Sequence, residues 1–225
     1  MRKPRKALEE IPTPSEEELI ARLQQMNPKY SSYACFLYLF GSRVSEAIGW
    51  NKKTIIGRYP YTHPRTLKDY EQPRYHYEVG KDKKVYPGLK KGDIQYNGDW
   101  LRIAELPTLK RRGDYFKNTR AAYVYINGVN EEPFVKILMD YVNTRPPLQP
   151  IWKYGRITAW RRIREGLGIP PHKLRGMRAT KDAVTYDLDA IDLKRKFNWA
   201  TDGMPMHYAA KNPRDIMEKI SRAKQ

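Results

Sequence analysis

Cysteine is nearly absent from this chain of 225 residues: Cys35 stands alone. A disulfide framework and a thiolate zinc site are thereby excluded, and a reducing, intracellular compartment fits. Long apolar runs are missing too. None approaches the roughly 18 residues of a membrane span, and MRKPRK leads into EEIP without a signal-type apolar region. The expectation is a soluble protein of the cytoplasm or nucleoid with no membrane partner. Acidic residues are scarce, 25 Asp and Glu against 43 Lys and Arg, for a net charge of +18. Such an excess costs self-repulsion unless a polyanion relieves it. Nucleic acid is the leading partner, against an unspecialised basic surface. Aromatics are plentiful, with 17 tyrosines, which argues against a disordered basic tail. There is neither an internal repeat nor a low-complexity tract.

Residues 1–12 read as a basic, Pro-containing arm, and 13–225 as a single domain. Thr13-Pro14-Ser15-Glu16 resembles a capping box with Pro in the first turn. Leu19, Ile20, Leu23 and Met26 give the following helix an apolar face, and Asn27-Pro28 stops it. The apolar run Tyr33–Phe40 fits a buried helix or a strand. GSRVSEAIG after it favours a helix, a break and a short second helix capped by Ser42. Arg43 then stands at a helix N-terminus, where it either holds an anion with the free N–H groups or pairs with Glu46 on the surface.

Residues 51–88 mix Pro, Gly, Tyr and basic residues without either period, and read as a long inserted loop. Tyr59, Tyr61, Arg65, Arg74, Tyr75, His76 and Tyr77 are either DNA contacts or folded-back packing. Trp100–Leu106 and Arg120–Ile126 alternate as paired strands. The turn between them carries Lys110, Arg111, Arg112 and Lys117. Helices follow at Glu131–Thr144 and Gly155–Gly166. The second carries Arg156, Trp160, Arg161, Arg162 and Arg164, more cations than solubility needs, and phosphate contacts are their natural use.

The stretch from His172 to Tyr208 holds the densest signal. His172 and Arg175 lie one helical turn apart and can face one anion together. Arg178 and Lys181 extend the basic stripe, Trp199 stands nine residues before Tyr208, and Tyr208 offers a nucleophilic phenol.

In order, Arg43, Lys110, His172, Arg175, Trp199 and Tyr208 resemble the catalytic residues of the tyrosine recombinases, the phage and plasmid integrase family. GSRVSEAIG is similar to that family's GLRxSEL segment, HKLRGMRAT to its HxLRHTxAT segment, and Trp199 with Tyr208 to its closing spacing. Lys110 falls where the family places a catalytic lysine, with Lys117 as its rival. Gly176 stands where the family usually has histidine, and the insertion lengthens the distance from Arg43 to Lys110. Many members carry an N-terminal clamp domain; only some dozen residues precede the first helix here, so the expectation is a minimal catalytic protein or one whose clamp a partner completes.

The resemblance implies a mainly α fold with a small antiparallel sheet (α+β) and site-specific DNA strand exchange without metal, ATP or other cofactor. It implies a mobile-element setting and a tetramer on double-stranded DNA. Arg43 and Arg175 would neutralise the non-bridging oxygens. Tyr208 would attack phosphorus to give a 3′-phosphotyrosyl link. His172 would act as base or phosphate donor, and Lys110 would protonate the leaving 5′-oxygen. Trp199 would either donate its indole N–H or serve as plain core. Arg111, Arg112, Lys117, Arg156, Arg161, Arg162, Arg178 and Lys181 are the expected DNA contacts. PRDIMEKISRA is either exchanged between protomers or packed on its own chain. The competing functions are relaxation of DNA in the manner of a type IB topoisomerase and non-catalytic DNA binding on the same scaffold.

Overall fold

The chain organises itself around one helix that has no polar face. In this computed structural model, which describes residues 13–51, 53–62, 69–77, 84–108, 119–126 and 131–199 with 203 and 205 besides, helix α2 (Pro28–Leu39) buries every residue from Ser31 to Leu39. A helix apolar all round needs partners on all sides. It finds them in α1 (Glu16–Gln25), α3 (Glu132–Asn143), α4 (Arg156–Leu167) and α5 (Pro171–Val184). The two buried serines are satisfied within reach: Ser31 and Ser32 donate to Pro28 O and Lys29 O, and Ser32 Oγ also accepts from Trp152 Nε1 at 3.2 Å. Tyr33, Phe36 and Trp152 close an aromatic cluster against this helix, with centroids of Tyr33 and Trp152 4.8 Å apart.

The helix ends follow local chemistry. Ser15 and Glu18 form the capping box of α1, Ser15 Oγ accepting from the Glu18 N–H at 3.2 Å and Glu18 Oε2 from the Ser15 N–H at 3.0 Å. The expected box at Thr13 is therefore displaced by two residues, because Ser15 is the cap with an acidic partner three positions on. Asn27 accepts from the Lys29 N–H at 3.1 Å and Pro28 occupies the first turn, so the same dipeptide that ends α1 starts α2.

Between α2 and α3 the described elements are strands, apart from one 3-10 turn at Lys91–Asp93. Strands β1 (Ile48–Asn51) and β4 (Lys84–Gly88) pair antiparallel, and β2 (Lys53–Thr62) and β3 (Asp69–Tyr77) form a two-stranded ribbon within the same segment. The expected loop over 51–88 is thus corrected: most of it is strand. It lacks the alternation of a half-buried strand because, among its described side chains, Ile56 to Thr62 and Asp69, Glu71, Gln72 and Arg74 are all exposed or half-exposed. Pro60 and Pro73 are tolerated because each strand of a ribbon has a free edge. A third sheet, of three strands, β5 (Gln95–Tyr96), β6 (Trp100–Pro107) and β7 (Thr119–Tyr125), contains the expected hairpin in β6 and β7. The short helix expected after Ser42 is absent: residues 44–47 form turns and bends leading into β1.

Helix α6 (Ala190–Phe197) is capped by Asp189, which accepts from Ile191 and Asp192 N–H. Its Leu193 and Phe197 pack on Ala179 and Ala183 of α5, whose small side chains let α6 approach closely. The α+β class holds, with six helices and small antiparallel sheets among the described residues. None of the described helices is long and apolar enough to cross a membrane.

Truncating the central helix should be costly. We expect Leu37→Ala, fully buried, to lose about 2–5 kcal/mol, and Ile157→Ala, at 82% exposure, to stay within about 0.5 kcal/mol of the parent. Urea unfolding of both variants checks this.

Candidate functional site

Three of the expected site residues, Arg43, Arg175 and Trp199, lie where α2 and α6 end. Gly41 leaves the helix at φ +53°, and a Cβ there would lie 2.0 Å from Cε1 of Phe197, so only glycine fits. This close approach brings the C-terminal ends of α2 and α6 side by side, each with backbone carbonyls that no helical N–H satisfies. Two guanidiniums bridge them. Arg175 of α5 donates to Gly41 O and, at 2.7 Å, to Phe197 O. Arg120 of β7 donates to Phe40 O at 2.6 Å and to Lys196 O at 2.5 Å, with Ser42 Oγ at 3.5 Å. Cations at helix C-termini also face the negative end of the helix dipole.

Arg43 lies two residues beyond Gly41 and is the outermost of the three arginines, with a quarter of its side chain exposed. Its Nη1 donates to Glu46 Oε1 at 2.8 Å, and its backbone N–H donates to Glu46 Oε2 at 2.9 Å. Glu46 is fully buried. The pair is therefore no solvated surface bridge; Glu46 folds the turn back and holds Arg43 in place. Burial lowers the Arg120 guanidinium from its ordinary range, Glu46 opposes this and Arg43 adds to it, so these three charges sense one another. Arg120 stays protonated regardless, as arginine does in proteins. The cluster thus sets three guanidiniums against one carboxylate.

The aromatic wall comes from α6 and the residues after it. Phe197 and Trp199 stack at 4.8 Å and 15°, and the Arg175 guanidinium lies 5.0 and 5.4 Å from their centroids. Trp199 is 7% exposed, so packing is certain for its ring. Asn198 Nδ2 donates to Thr108 Oγ1 at 3.3 Å, which ties this wall to the end of β6. The turn expected to carry the catalytic lysine starts there. His172 is exposed at the second position of α5, one turn before the buried Arg175. Lys110, Arg111, Arg112, Lys117 and Tyr208 lie outside the described residues, as does the expected helix PRDIMEKISRA.

Two expected DNA contacts are corrected. Arg178 is 2% exposed; its Nη1 donates to Glu131 Oε1 at 2.7 Å and its Nε to Asp182 Oδ1 at 2.9 Å. Burial alone would lower this guanidinium, but Asp182 and Glu131 hold it above its ordinary value. Lys181 donates to Glu16 Oε2 at 2.9 Å and lies 3.3 Å from Glu131 Oε1. Both side chains belong to an ion network that fastens α5 to α1 and to the start of α3, so their charge is already matched within the protein. Lys196 of α6 joins it through Asp182 Oδ1 at 2.8 Å, and burial, followed by the charge of Arg178, pulls its ammonium down. By contrast, Arg156, Arg161 and Arg162 are exposed on α4, the last two near Glu165 at 4.0 and 3.2 Å. Such solvated pairs hold a side chain weakly.

The residue that the sequence reading passed over is Arg120. Its signal is the alternation of β7: Arg120, Ala122 and Val124 are buried while Ala121, Tyr123 and Tyr125 are exposed. An arginine on the buried face of a strand requires buried acceptors. Among the described residues no three of His, Cys, Asp and Glu are grouped to hold a metal ion.

No protein-family model matches the sequence, and no curated protein matches it either. Solved structures do resemble it. The chain is similar to XerA recombinase, with a TM-score of 0.54 and 16% identity over 99% of this chain and 68% of that one. It is similar to the XerH site-specific recombinase bound to its difH substrate in a pre-cleavage complex, with a TM-score of 0.52 and 12% identity over 98% of this chain and 57% of that one. A post-cleavage XerH complex on a palindromic difH substrate gives a TM-score of 0.52 and 14% identity over 96% and 54%. The chain thus spans a little over half of XerH. The fold is that of a tyrosine recombinase catalytic domain.

The ion network and the bridging arginines predict distinct losses. Arg178→Met removes the guanidinium that two buried carboxylates share and should destabilise the protein by about 3–5 kcal/mol. Arg120→Met leaves Phe40 O and Lys196 O without that donor and should cost about 1–3 kcal/mol for each carbonyl left unsatisfied. Arg161→Ala should be neutral to stability. Denaturant midpoints of the three variants provide the comparison.

Proposed function

We propose that this protein is a site-specific DNA recombinase that cuts and rejoins DNA through a tyrosine, without metal or ATP. The observation that carries the reading is the cationic cluster of Arg43, Arg120 and Arg175 at the joined ends of α2 and α6, with His172 exposed one helical turn before Arg175, in a fold shared with XerA and XerH. XerH is known in complexes with its difH substrate before and after cleavage, and double-stranded DNA is the partner proposed here. The net charge of +18 supports it.

In this reading a scissile phosphate rests against Arg43, the accessible guanidinium, above Arg175. The positive field of the cluster stabilises the charge that gathers on the non-bridging oxygens as phosphorus becomes five-coordinate. Because Arg175 and Glu46 are locked by backbone partners, the field is set before substrate arrives and costs no reorganisation. Tyr208 Oη forms a bond to phosphorus and the bond to the 5′-oxygen breaks. The phenol proton passes to His172 or to solvent, and Lys110, with Lys117 as its rival, supplies a proton to the leaving 5′-oxygen. The phosphotyrosyl link conserves the phosphodiester energy. A 5′-hydroxyl from another strand reverses the step and completes the exchange. Trp199 shields the phosphate side of the site and fixes the plane of Arg175. Four protomers on two duplexes, with exchanged C-terminal segments, are the proposed working assembly, and integration or excision of a mobile element is the proposed setting.

A duplex nicked near the cleavage site, so that the leaving strand diffuses away, tests the chemistry. A covalent protein–DNA adduct is expected, and its loss in Tyr208→Phe assigns the nucleophile; full adduct in that variant overturns the assignment. Arg43→Ala and Arg175→Ala should each slow adduct formation by about 10²–10³-fold. Replacing the scissile phosphate by an uncharged methylphosphonate should shrink both defects sharply, since no anionic oxygen remains to neutralise. Binding without adduct on any duplex offered supports the non-catalytic reading. Adduct formation with relaxation but no exchange supports the topoisomerase-like one.

A further inference from the structure

The ribbon of β2 and β3 contributes no described side chain to the site. Its described side chains bury neither face, and an isolated two-stranded ribbon is marginally stable in water. Such a ribbon implies a surface that covers it. Its register shows which. Gly57 pairs with Arg74, Arg58 with Pro73, Tyr59 with Gln72, Pro60 with Glu71, Tyr61 with Tyr70 and Thr62 with Asp69. Side chains alternate between faces, so Tyr59, Tyr61, Gln72 and Arg74 share one face, while Arg58, Thr62, Asp69 and Glu71 share the other. The contacts agree: Tyr59 Oη donates to Gln72 Oε1 at 2.9 Å on the first face. On the second, Thr62 Oγ1 donates to Asp69 Oδ1 at 2.6 Å, and Arg58 Nη1 lies 3.8 Å from Glu71 Oε2.

The two faces therefore differ in charge. Both described carboxylates of the ribbon, and the arginine that neutralises one of them, lie on the second face. The first face carries a guanidinium, an amide and two phenols with no described carboxylate among them. Tyr59 occupies the amide oxygen of Gln72, which leaves its NH2 as the end to offer. A face of donors and aromatic rings without anions complements a polyanion.

We propose that this face of the β2–β3 ribbon lies in a groove of duplex DNA flanking the cleavage site, as a second contact apart from the catalytic cluster. The dimensions fit. Ten residues of β2 span about 33 Å, close to one turn of duplex at about 34 Å, and the major groove is about 12 Å wide and admits a two-stranded ribbon. Arg74 pairs with a phosphate or a guanine edge, Gln72 donates to a base edge, and the tyrosine rings pack against sugars and thymine methyls. The second face, its charges internally paired, stays toward solvent. The inference rests on DNA being the substrate.

The full chain is compared on two duplexes, one just covering the cleavage site and one extended by about a turn of DNA on each side. The variants are Tyr59→Ala with Arg74→Ala on the first face, and Arg58→Ala with Glu71→Ala on the second. We expect the wild-type chain to protect extra backbone on the long duplex from hydroxyl radicals. The first double variant should lose that protection and bind the long duplex about tenfold more weakly, with unchanged affinity for the short one and unchanged adduct formation there. The second should match wild type. An unaltered footprint and affinity in the first variant overturns the ribbon contact while recombination stands. Loss of self-association in that variant with the footprint intact identifies a second protomer as the ribbon's partner and also overturns it. A wild-type chain that binds neither duplex overturns the reading on which it rests.

Discussion

Two helix ends are held together by two arginines, and most of the molecule depends on that arrangement. Gly41 and Phe197 approach so closely that a single methyl group would clash, which turns the C-termini of α2 and α6 into one shared row of carbonyls. Neither helix can satisfy these acceptors itself. Arg120 reaches them from the sheet and Arg175 from α5, so each guanidinium ties together three elements at once. The residues before Arg43 and the residues leading to Trp199 leave from this row. Their positions are consequences of it.

A second layer supports the first from behind. Asp182 accepts from Arg178 and from Lys196, and the carbonyl of the same Lys196 accepts from Arg120. Side chain and backbone of one residue thus join the buried ion network of α5 to the bridge at the helix ends. Breaking a buried pair leaves the surviving charge uncompensated, so the α5–α6 angle resists change. Rigidity of this kind suits the proposed site, which would present fixed charge to a short-lived geometry.

Much of this was legible in the sequence, for a physical reason. Arg43, Arg175 and Trp199 belong to short segments whose spacing survives in isolation, and the helical periods and the alternating hairpin agree with the α+β class. What failed was information carried by distant partners. Arg178 and Lys181 read as a basic stripe because Glu131 and Glu16, which claim them, are remote in the chain. Arg120 passed as an ordinary strand residue because its acceptors, Phe40 O and Lys196 O, belong to other elements. The β2–β3 ribbon showed no period because period records burial, and its described side chains are not buried. The turn after Ser42 imitated a capped helix, but its hydroxyl faces Arg120 and its carboxylate at Glu46 folds back onto Arg43.

The joined helix ends raise an apparent conflict, since helix C-termini repel the anion this site is argued to bind. Each end carries about half a negative charge, and Glu46 adds a whole one. Three guanidiniums exceed that total and leave about one unit of positive charge. The excess is unevenly placed. Arg120 and Arg175 are spent on carbonyls within the protein, whereas Arg43 is the outermost and partly open to solvent. An arriving anion therefore meets Arg43 first and feels the two buried arginines through a medium of low dielectric, where their field is stronger than in water. The carbonyls that seem to oppose binding are what permit two positive groups to be buried beneath the third, and so make the anion site possible.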